Sequence, residues 1–585
     1  MRVVLKQTGQ VDREFEAHEG QTIFSCLANQ GVHIDAPCAG RGKCGKCVVK
    51  VNGSLSAPSE REIELLGSAE GRRLACQARV KGAAVIEIDA AVRLSSVKGL
   101  GESEPYDLDP PLKFMRLDLP DRQDGRVILS ARNISHASIM ALNDLAALDA
   151  ERRPGWAVMW ADDLLAAEAA EEGSNHGELL AAAVDLGTTG LAVTIIDMLR
   201  GEATAQGTAL NPQTACGGDV ISRITVASES AAELANLQSL ALDGIGRLIM
   251  EIAGPKAGRI MASVISGNTT MIYLLAGVLP RGLAQAPYRP VFTRSLDLSH
   301  LAERLHLGRG AKILTTPCIS AYVGGDITAG MLAVGLKKRP GVVLYIDIGT
   351  NGEIVLSHNG RLTATSCAAG PALEGMNIIC GQRATSGAID SFALAPDFSY
   401  NFTTIAGAPA TGICGSGLID LTAALVEHGF IDKTGRLKAP GNLPAASPWR
   451  NDLSGGRLNL TADVFYDQKD VRQVQLAKGA IAAAVEMLLA RMGLSEADLD
   501  EIIIAGAFGF HLKPESLKAI SLIPPAYEGP VRFVGNSSLA GAARMLLNAG
   551  ALEELNAIAE ATEVLELGFD PQFQNIFVKH LKFPD

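Results

Sequence analysis

The chain opens on Met-Arg-Val-Val-Leu-Lys-Gln, which lacks the apolar core of a secretion signal, and nowhere carries an unbroken apolar run long enough to span a membrane. Its most apolar stretch, 261–280, is interrupted by Ser266, Gly267, Asn268 and two threonines. A cytoplasmic protein without a membrane partner is expected. Low-complexity sequence is absent on any large scale, and 47% hydrophobic with 20% charged residues fits a globular protein rather than a disordered or collagenous one. A net charge of -12 gives no basic balance for non-specific binding to nucleic acid or anionic lipid, so no nucleic-acid partner is expected. The missing export signal also argues against a disulfide framework and turns the ten cysteines toward metal ligation and reduced thiols. At 585 residues the chain should divide into several domains.

Three cysteines crowd one glycine-rich stretch, Cys38-Ala-Gly-Arg-Gly-Lys-Cys44-Gly-Lys-Cys47, and Cys76 follows in Arg-Arg-Leu-Ala-Cys-Gln. This C-x5-C-x2-C…C pattern is one residue longer in its first gap than the plant-type [2Fe-2S] ligand set of four thiolates. Small residues at Ala39, Gly40, Gly42 and Gly45 let the backbone wrap tightly and aim N–H groups at the sulfides. Four thiolates also suit tetrahedral zinc, but structural zinc sites usually join two separated C-x2-C-type pairs, whereas here three ligands share a loop and the fourth is remote. Cys38, Cys44, Cys47 and Cys76 are therefore the expected ligands of a [2Fe-2S] cluster. Strands are predicted over 1–7, 12–17, 47–51 and 84–89, and a helix over 22–29. That order resembles a β-grasp ferredoxin over residues 1–92, and the longer first gap resembles its adrenodoxin-like branch. Cys26 lies outside the pattern and reads as a packed core thiol.

Residues 93–112 are turn formers and prolines without periodicity and read as a linker. A small middle domain is expected over 113–178, with a strand at 113–119, a helix around 137–148 and an Ala/Glu-rich helix at 162–172. It carries no chemical motif, and its expected role is packing or docking.

From 179 to 585 strands and helices alternate, as in an α/β domain. Ala-Val-Asp185-Leu-Gly187-Thr188-Thr189-Gly190 is an apolar strand entering a polar turn, and Tyr-Ile-Asp347-Ile-Gly349-Thr350-Asn351-Gly352 repeats the design. Val264-Ile-Ser-Gly267-Asn268 and Ile504-Ala-Gly506-Ala507-Phe are later strand-to-glycine turns, one in each half. One D-x-G-T turn makes an ordinary hairpin, but two in a duplicated frame point to phosphate. Gly187 and Gly349 permit close backbone approach, turn N–H groups and threonine hydroxyls donate to phosphate oxygens, and Asp185 and Asp347 can hold Mg²⁺ through water. No helix-opening G-x4-G-K-[ST] loop is needed. The glycine-rich loops at 217–223, 324–327, 370–375 and 412–417 either line the same cleft or serve as helix caps and chain reversals. Cys216, Cys318, Cys367, Cys380 and Cys414 show no ligand spacing and read as core residues.

This part of the chain resembles the acetate and sugar kinase, Hsp70 and actin (ASKHA) superfamily, whose two ribonuclease-H-like halves close on ATP. The resemblance implies that Asp185 to Gly190 form the first phosphate motif, Asp347 to Gly352 the second, and Gly506 with Ala507 part of the adenosine motif, with Asn268 at the cofactor and Asp185 and Asp347 catalytic. The expected fold class is thus multidomain: an α+β β-grasp [2Fe-2S] ferredoxin domain, a small middle domain, and an α/β duplicated ribonuclease-H-like ATP-binding domain over 179–585.

A one-electron carrier joined to an ATP-driven engine points to energised electron transfer, and nearly the whole chain resembles the reductive activators of corrinoid proteins. The resemblance implies ATP-dependent reduction of an inactive Co(II) corrinoid to Co(I) in a methyltransferase system. Plant-type clusters lie near about -400 mV, and each roughly 59 mV of uphill one-electron transfer costs about 1.4 kcal/mol, so a lower cobalt couple needs outside energy. The chain has no D-x-H-x-x-G cobalamin sequence, so the corrinoid protein is a separate partner. No G-x-G-x-x-G turn leads from a strand into a helix as a flavin or nicotinamide domain requires, so electrons come from an external reductase or ferredoxin. A homodimer is the expected assembly. One rival reading is the activator of a 2-hydroxyacyl-CoA dehydratase, but such activators bridge a [4Fe-4S] cluster across a dimer and lack the ferredoxin domain. Another is a redox sensor gating an Hsp70-like binding domain, for which the residues after Phe510 are too few. A metabolite kinase fused to a ferredoxin leaves the cluster without a purpose.

Overall fold

The computed structural model describes residues 1–585 apart from 8–11, 30–33, 35–41, 43–44, 46, 67–70, 89–102, 118–133, 152, 170–177, 444–446, 448–456, 507–511 and 585. At the N-terminus, strands β1 (Arg2–Gln7), β2 (Arg13–Glu16), β3 (Val48–Leu55), β4 (Arg72–Leu74) and β5 (Val80–Ile88) form one sheet in the order β2-β1-β5-β3-β4, with helices α1 (Ile23–Asn29) and α2 (Glu60–Leu66) beside it. Alternating Val3 and Leu5 are buried with Ile23, Leu27, Leu74 and Ile86, and β1 runs parallel to β5, the pairing that defines the β-grasp. Cys26 lies in that core.

The next unit is a four-stranded sheet of β6 (Leu112–Leu117), β7 (His136–Ala137), β8 (Gly155–Trp160) and β9 (Asp163–Ala169), ordered β6-β8-β9-β7 and packed on α3 (Ile139–Glu151). The Ala/Glu-rich helix expected at 162–172 is therefore wrong over 163–169. These residues form a strand, because β9 pairs antiparallel with β8 and buries Leu164, Leu165 and Ala167, so tertiary pairing overrides the helix propensity of alanine and glutamate.

The last part of the expected linker is bound to the C-terminal region. Asp109 N–H donates to the Leu547 carbonyl at 3.0 Å, Ala549 N–H returns to the Asp109 carbonyl at 2.8 Å, and Glu104 N–H donates to the Ala333 carbonyl at 2.8 Å. Glu104 also pairs with Arg339, and the Arg544 guanidinium lies over the Tyr106 ring, 5.2 Å from its centroid.

The duplication is explicit in the topology. In the first half, β10 (Leu180–Leu186), β11 (Gly190–Asp197), β12 (Glu202–Leu210), β13 (Ile260–Gly267) and β14 (Lys312–Thr315) are ordered β12-β11-β10-β13-β14. In the second, the main sheet contains β15 (Val342–Ile348), β16 (Gly352–His358) and β17 (Arg361–Cys367). A smaller sheet of β18 (Ala388–Leu394), β19 (Tyr400–Thr404) and β20 (Gly412–Ile413) and a ribbon of β21 (Arg457–Asn459) and β22 (Phe465–Asp467) follow. The main sheet is completed by β23 (Glu501–Ala505), β24 (Val531–Gly535) and β25 (Thr562–Val564), and its order β24-β23-β15-β16-β17-β25 repeats the first half with one strand added. In both, an antiparallel hairpin is followed by two strands laid parallel to its first member.

The helices of the first half include α4 (Val220–Ala227), α5 (Ala231–Ala253), α6 (Thr269–Ala276) and α7 (Gly325–Ala333). Those of the second are α8 (Gly415–Glu427), α9 (Gln468–Arg491), α10 (Pro514–Ala519), α11 (Ser537–Leu547), α12 (Ala551–Ala561) and α13 (Phe573–His580). α9 is long and apolar enough to cross a membrane, but most of it is buried in the core of the second half. α7 and α11 occupy equivalent places in the two halves and pack on each other, with Gly541 against the Ala329 carbonyl.

Candidate functional site

The two Asp-x-Gly-Thr turns meet between the halves. Each is the hairpin joining the first two strands of its half, and the hydroxyls of Thr189 and Thr350 stand 3.4 Å apart. The first turn is held from behind: Asn211 Nδ2 donates to the Gly187 carbonyl at 2.8 Å, Asn268 Nδ2 to Thr188 Oγ1 at 2.8 Å, and the Arg223 guanidinium to the Thr188 carbonyl. In the second, Gly349 N–H donates to the Asn351 carbonyl at 3.0 Å and Thr350 Oγ1 to Glu374 Oε1 at 3.2 Å. Gly190 and Gly352 begin the returning strands. Gly506 follows β23 directly at φ +118°, where a Cβ would stand 2.4 Å from the Ile348 carbonyl; only glycine lets the chain leave β23 so close to the second turn. Ala507, Cys38 and Cys44 lie outside the described residues.

The expected aspartates come together with further acids. Asp185 Oδ2 accepts from Asn536 Nδ2 and Asp185 Oδ1 from Ser538 Oγ, both at 2.8 Å. Burial raises the Asp185 carboxyl above the usual carboxylate range, and these two bonds pull it back. Burial, then the charge of Asp185, pushes Asp347 up to about 7. Burial, then Asp347 and Asp185, pushes Asp326 up to about 8. Burial, then the charges of Asp326 and Asp347, put Glu353 well above the normal range, and burial raises Glu374. Except for Glu353, these carboxyls keep some solvent contact, but all are deeply surrounded by protein, and the low local dielectric makes their repulsion strong. The site thus gathers carboxyls that repel one another when ionised, beside two turns whose N–H groups and hydroxyls are able to receive phosphate.

The glycine-rich loops divide. Asp326 of the 324–327 loop belongs to the acidic group, Glu374 of the 370–375 loop receives the Thr350 hydroxyl, and the 217–223 loop contributes Arg223, whereas Asp219 is an exposed cap of α4. Ser416 of the 412–417 loop donates to the Asp390 carbonyl at 2.7 Å, a structural contact. Asn536 and Ser538 were not expected from sequence. Their segment Gly535-Asn536-Ser537-Ser538 parallels Gly267-Asn268-Thr269-Thr270, a strand end whose asparagine caps the next helix, and that likeness was the available signal. Cys318, Cys367 and Cys414 are buried as expected, while Cys216 and Cys380 are only half-buried at the edges of their cores.

In the β-grasp domain, Cys47 precedes β3 and Cys76 follows β4, and the antiparallel pairing of these strands sets both sulfurs side by side at 3.3 Å, buried and too far apart for a disulfide. Gln77 Nε2 reaches Cys76 Sγ at 3.8 Å. Gly42 has φ +68°, and a Cβ there would stand 2.6 Å from Gln77 Nε2, so glycine leaves that amide in place. The cysteine end of β4 is braced from below, where Glu62, fully buried, takes two bonds from Arg73 at 3.0 Å and one from Leu74 N–H at 3.0 Å. Two adjacent buried thiols with an amide donor fit a thiolate-held metal centre.

Three family matches cover these parts in order. Residues 6–81 match the 2Fe-2S iron-sulfur cluster binding domain, 180–339 the RACo middle region, and 341–585 the C-terminal domain of RACo, the ASKHA domain. The corrinoid activation enzyme RamQ of Eubacterium limosum is 28% identical over 604 aligned positions, with 98% of each chain covered. The [Co(II) methylated amine-specific corrinoid protein] reductase of Methanosarcina barkeri is 26% identical over 440 positions, covering 68% of this chain and 76% of its own. A solved structure titled reductive activator for corrinoid, iron-sulfur protein superposes with a TM-score of 0.72 at 29% identity, covering 100% of this chain and 98% of that one. With all three parts in this order, the chain belongs to the RACo family, the reductive activators of corrinoid proteins.

Proposed function

We propose that this protein uses ATP to drive one electron onto the Co(II) corrinoid of a separate methyltransferase-system protein, giving Co(I). The observation that carries the reading is the presence, on one chain, of an adjacent buried thiol pair in a β-grasp fold and an acid-lined cleft between duplicated halves. The names of its full-length relatives support the same chemistry.

Cys47 and Cys76, with Cys38 and Cys44, hold a [2Fe-2S] cluster, which when bound supplies a single low-potential electron. Gln77 stabilises thiolate charge at Cys76. In the cleft, Thr188, Thr189, Thr350 and Asn351 receive phosphates and Asn268 orients Thr188. Asp185 and Asp347 organise Mg²⁺ through water, with Asp326 beside them; no three acidic, histidine or cysteine side chains among the described residues are arranged to ligate one ion directly. Gly506 and Ala507 border the adenosine. Because Asn536 and Ser538 of one half hold Asp185 of the other, nucleotide and metal at Asp185 bias the position of the two halves, which is how hydrolysis is coupled to conformation. The protein acts in the cytoplasm as a homodimer, takes electrons from a separate reductase or ferredoxin, and has neither membrane nor nucleic acid as a partner.

The test mixes reduced protein, Mg-ATP and a Co(II) corrinoid protein and follows the visible spectrum. Co(I) should form only with ATP, and a non-hydrolysable analogue should stop turnover. Equal reduction without nucleotide, or phosphorylation of a small metabolite, would replace this reading with that of a ferredoxin-fused kinase.

A further inference from the structure

Arg223 on α4 is fully buried, yet none of its acceptors carries a charge. Nε donates to the Gly217 carbonyl at 2.9 Å, Nη1 to Gln213 Oε1 at 3.2 Å and Met271 Sδ at 3.1 Å, and Nη2 to the Thr188 carbonyl. No carboxylate among the described residues bonds to it: Asp219, the nearest in sequence, is exposed and accepts from Ser222 N–H at 2.7 Å as the α4 cap. Burial keeps the nearby Cys216 thiol in its neutral form and lowers Arg223 itself only to about 10, so the guanidinium is charged at neutral pH. The charge of Asp219 offsets part of this burial without touching the guanidinium, and a buried cation bonded only to neutral acceptors is costly, a cost that an anion at the turn would relieve.

The anion's place is set by the peptide that Arg223 grips. In a trans peptide the C=O and the following N–H point in opposite directions, so drawing the Thr188 carbonyl onto the guanidinium turns the Thr189 N–H away from it. Gln213 is itself fixed, donating to the Leu237 carbonyl at 2.9 Å, and Asn211, which holds Gly187, also donates to Gln213 Oε1 at 3.3 Å. Arg223, Gln213 and Asn211 thus form one buried network under the first turn.

We infer that Arg223 is a positioning residue that both sets the Thr188–Thr189 peptide for phosphate and supplies, through it, the counter-charge for a polyphosphate. This rests on the nucleotide reading of the cleft and assigns the phosphate chain, rather than the nucleoside, as what the network selects.

The test compares Arg223→Gln and Arg223→Lys in the full-length, cluster-loaded protein, measuring calorimetric affinity for Mg-ATP and for adenosine, with thermal midpoints as a fold control. Arg223→Gln should weaken Mg-ATP about ten-fold or more while leaving adenosine within about two-fold, and Arg223→Lys should recover most of the ATP affinity. Equal losses for ATP and adenosine, or no loss for ATP, would overturn the inference. If Arg223→Gln does not fold, the lysine variant decides: a normal thermal midpoint with ATP and adenosine weakened in parallel makes Arg223 a structural residue. Wild-type protein that binds adenosine but not ATP defeats the nucleotide reading as well, which separates that failure from a fault at Arg223 alone.

Discussion

Asn536 Nδ2 donates to Asp185 Oδ2 at 2.8 Å across 351 residues of sequence, so a helix cap of the second half fixes the first carboxylate of the first. Its own Oδ1 accepts from Leu539 N–H at 2.8 Å, and Ser538 completes the grip on Asp185. Both bonds favour ionised Asp185. Asn536→Ala and Ser538→Ala should therefore raise the Asp185 pKa further, each costing roughly 1 kcal/mol of stability, and the double variant should lose about ten-fold in ATPase rate at neutral pH. Steady-state hydrolysis and thermal denaturation check both; unchanged rates would make the contact structural only.

Asp185→Asn and Asp347→Asn should cost hydrolysis far more than nucleotide binding, because the metal and water they are proposed to organise would matter most where transition-state charge develops. About 100-fold or more off kcat with less than about ten-fold in affinity is the expected split. Two variants with wild-type turnover would remove these residues from the chemistry.

Turns were legible in the sequence where chemistry and local geometry coincide. Asp185-Leu-Gly-Thr and Asp347-Ile-Gly-Thr each need a strand, a tight turn and small polar groups, all set within a few residues. The strand at 163–169 was not legible, because nothing in Asp-Leu-Leu-Ala-Ala-Glu-Ala opposes a helix until β8 offers it a ladder. Nor was the docking of 104–109, which depends on Arg339, Leu547 and Arg544 more than two hundred residues away. Asn536, Ser538 and Gln77 owe their roles to distant partners or to the packing of a loop, and local patterns do not encode those.

At the cluster end, Gln77→Leu should keep the cluster but lower its reduction potential by some tens of millivolts, since a donor to a thiolate sulfur favours the reduced, more negative state. Cys26→Ser should also keep the cluster, whereas Cys47→Ser and Cys76→Ser should lose it while ATPase activity persists. Iron analysis and electron paramagnetic resonance of the reduced protein decide; retention of two irons in Cys76→Ser would overturn the ligand set.

The docked segment 104–109 should behave as part of the ATPase region. Glu104→Ala and Tyr106→Ala break an ion-pair and cation–π anchor onto Arg339 and Arg544 and should make cleavage between the N-terminal domain and the remainder faster in limited proteolysis, with a loss of roughly 1–2 kcal/mol in unfolding of the C-terminal region. Wild-type proteolysis rates in the double variant would show that backbone pairing at Asp109 suffices.

The acidic group fixes a pH dependence whose sign follows from linkage. Burial and mutual repulsion raise Asp347 to about 7 and Asp326 to about 8, while in the unfolded chain both lose their protons near about pH 4. Between these values the folded protein holds more protons than the unfolded one, so this group's contribution to stability falls as pH rises from about 4 to about 8 and is flat above. On the proposed reading Mg-ATP binds the ionised carboxylates and should reverse the trend, with proton release on binding and affinity that climbs through about pH 7 to 8. Replacing Asp347 by asparagine removes the charge that is costly at high pH, so the variant without nucleotide should gain roughly 1–3 kcal/mol on the wild type between pH 5 and pH 8 and release fewer protons when it binds Mg-ATP. Thermal unfolding of both proteins across that range, with calorimetry in two buffers of different ionisation enthalpy, measures each quantity. A wild-type minus variant difference that is constant with pH would show that Asp347 already ionises in the ordinary carboxylate range, and the cleft would then lack the charge repulsion that the cation is proposed to relieve.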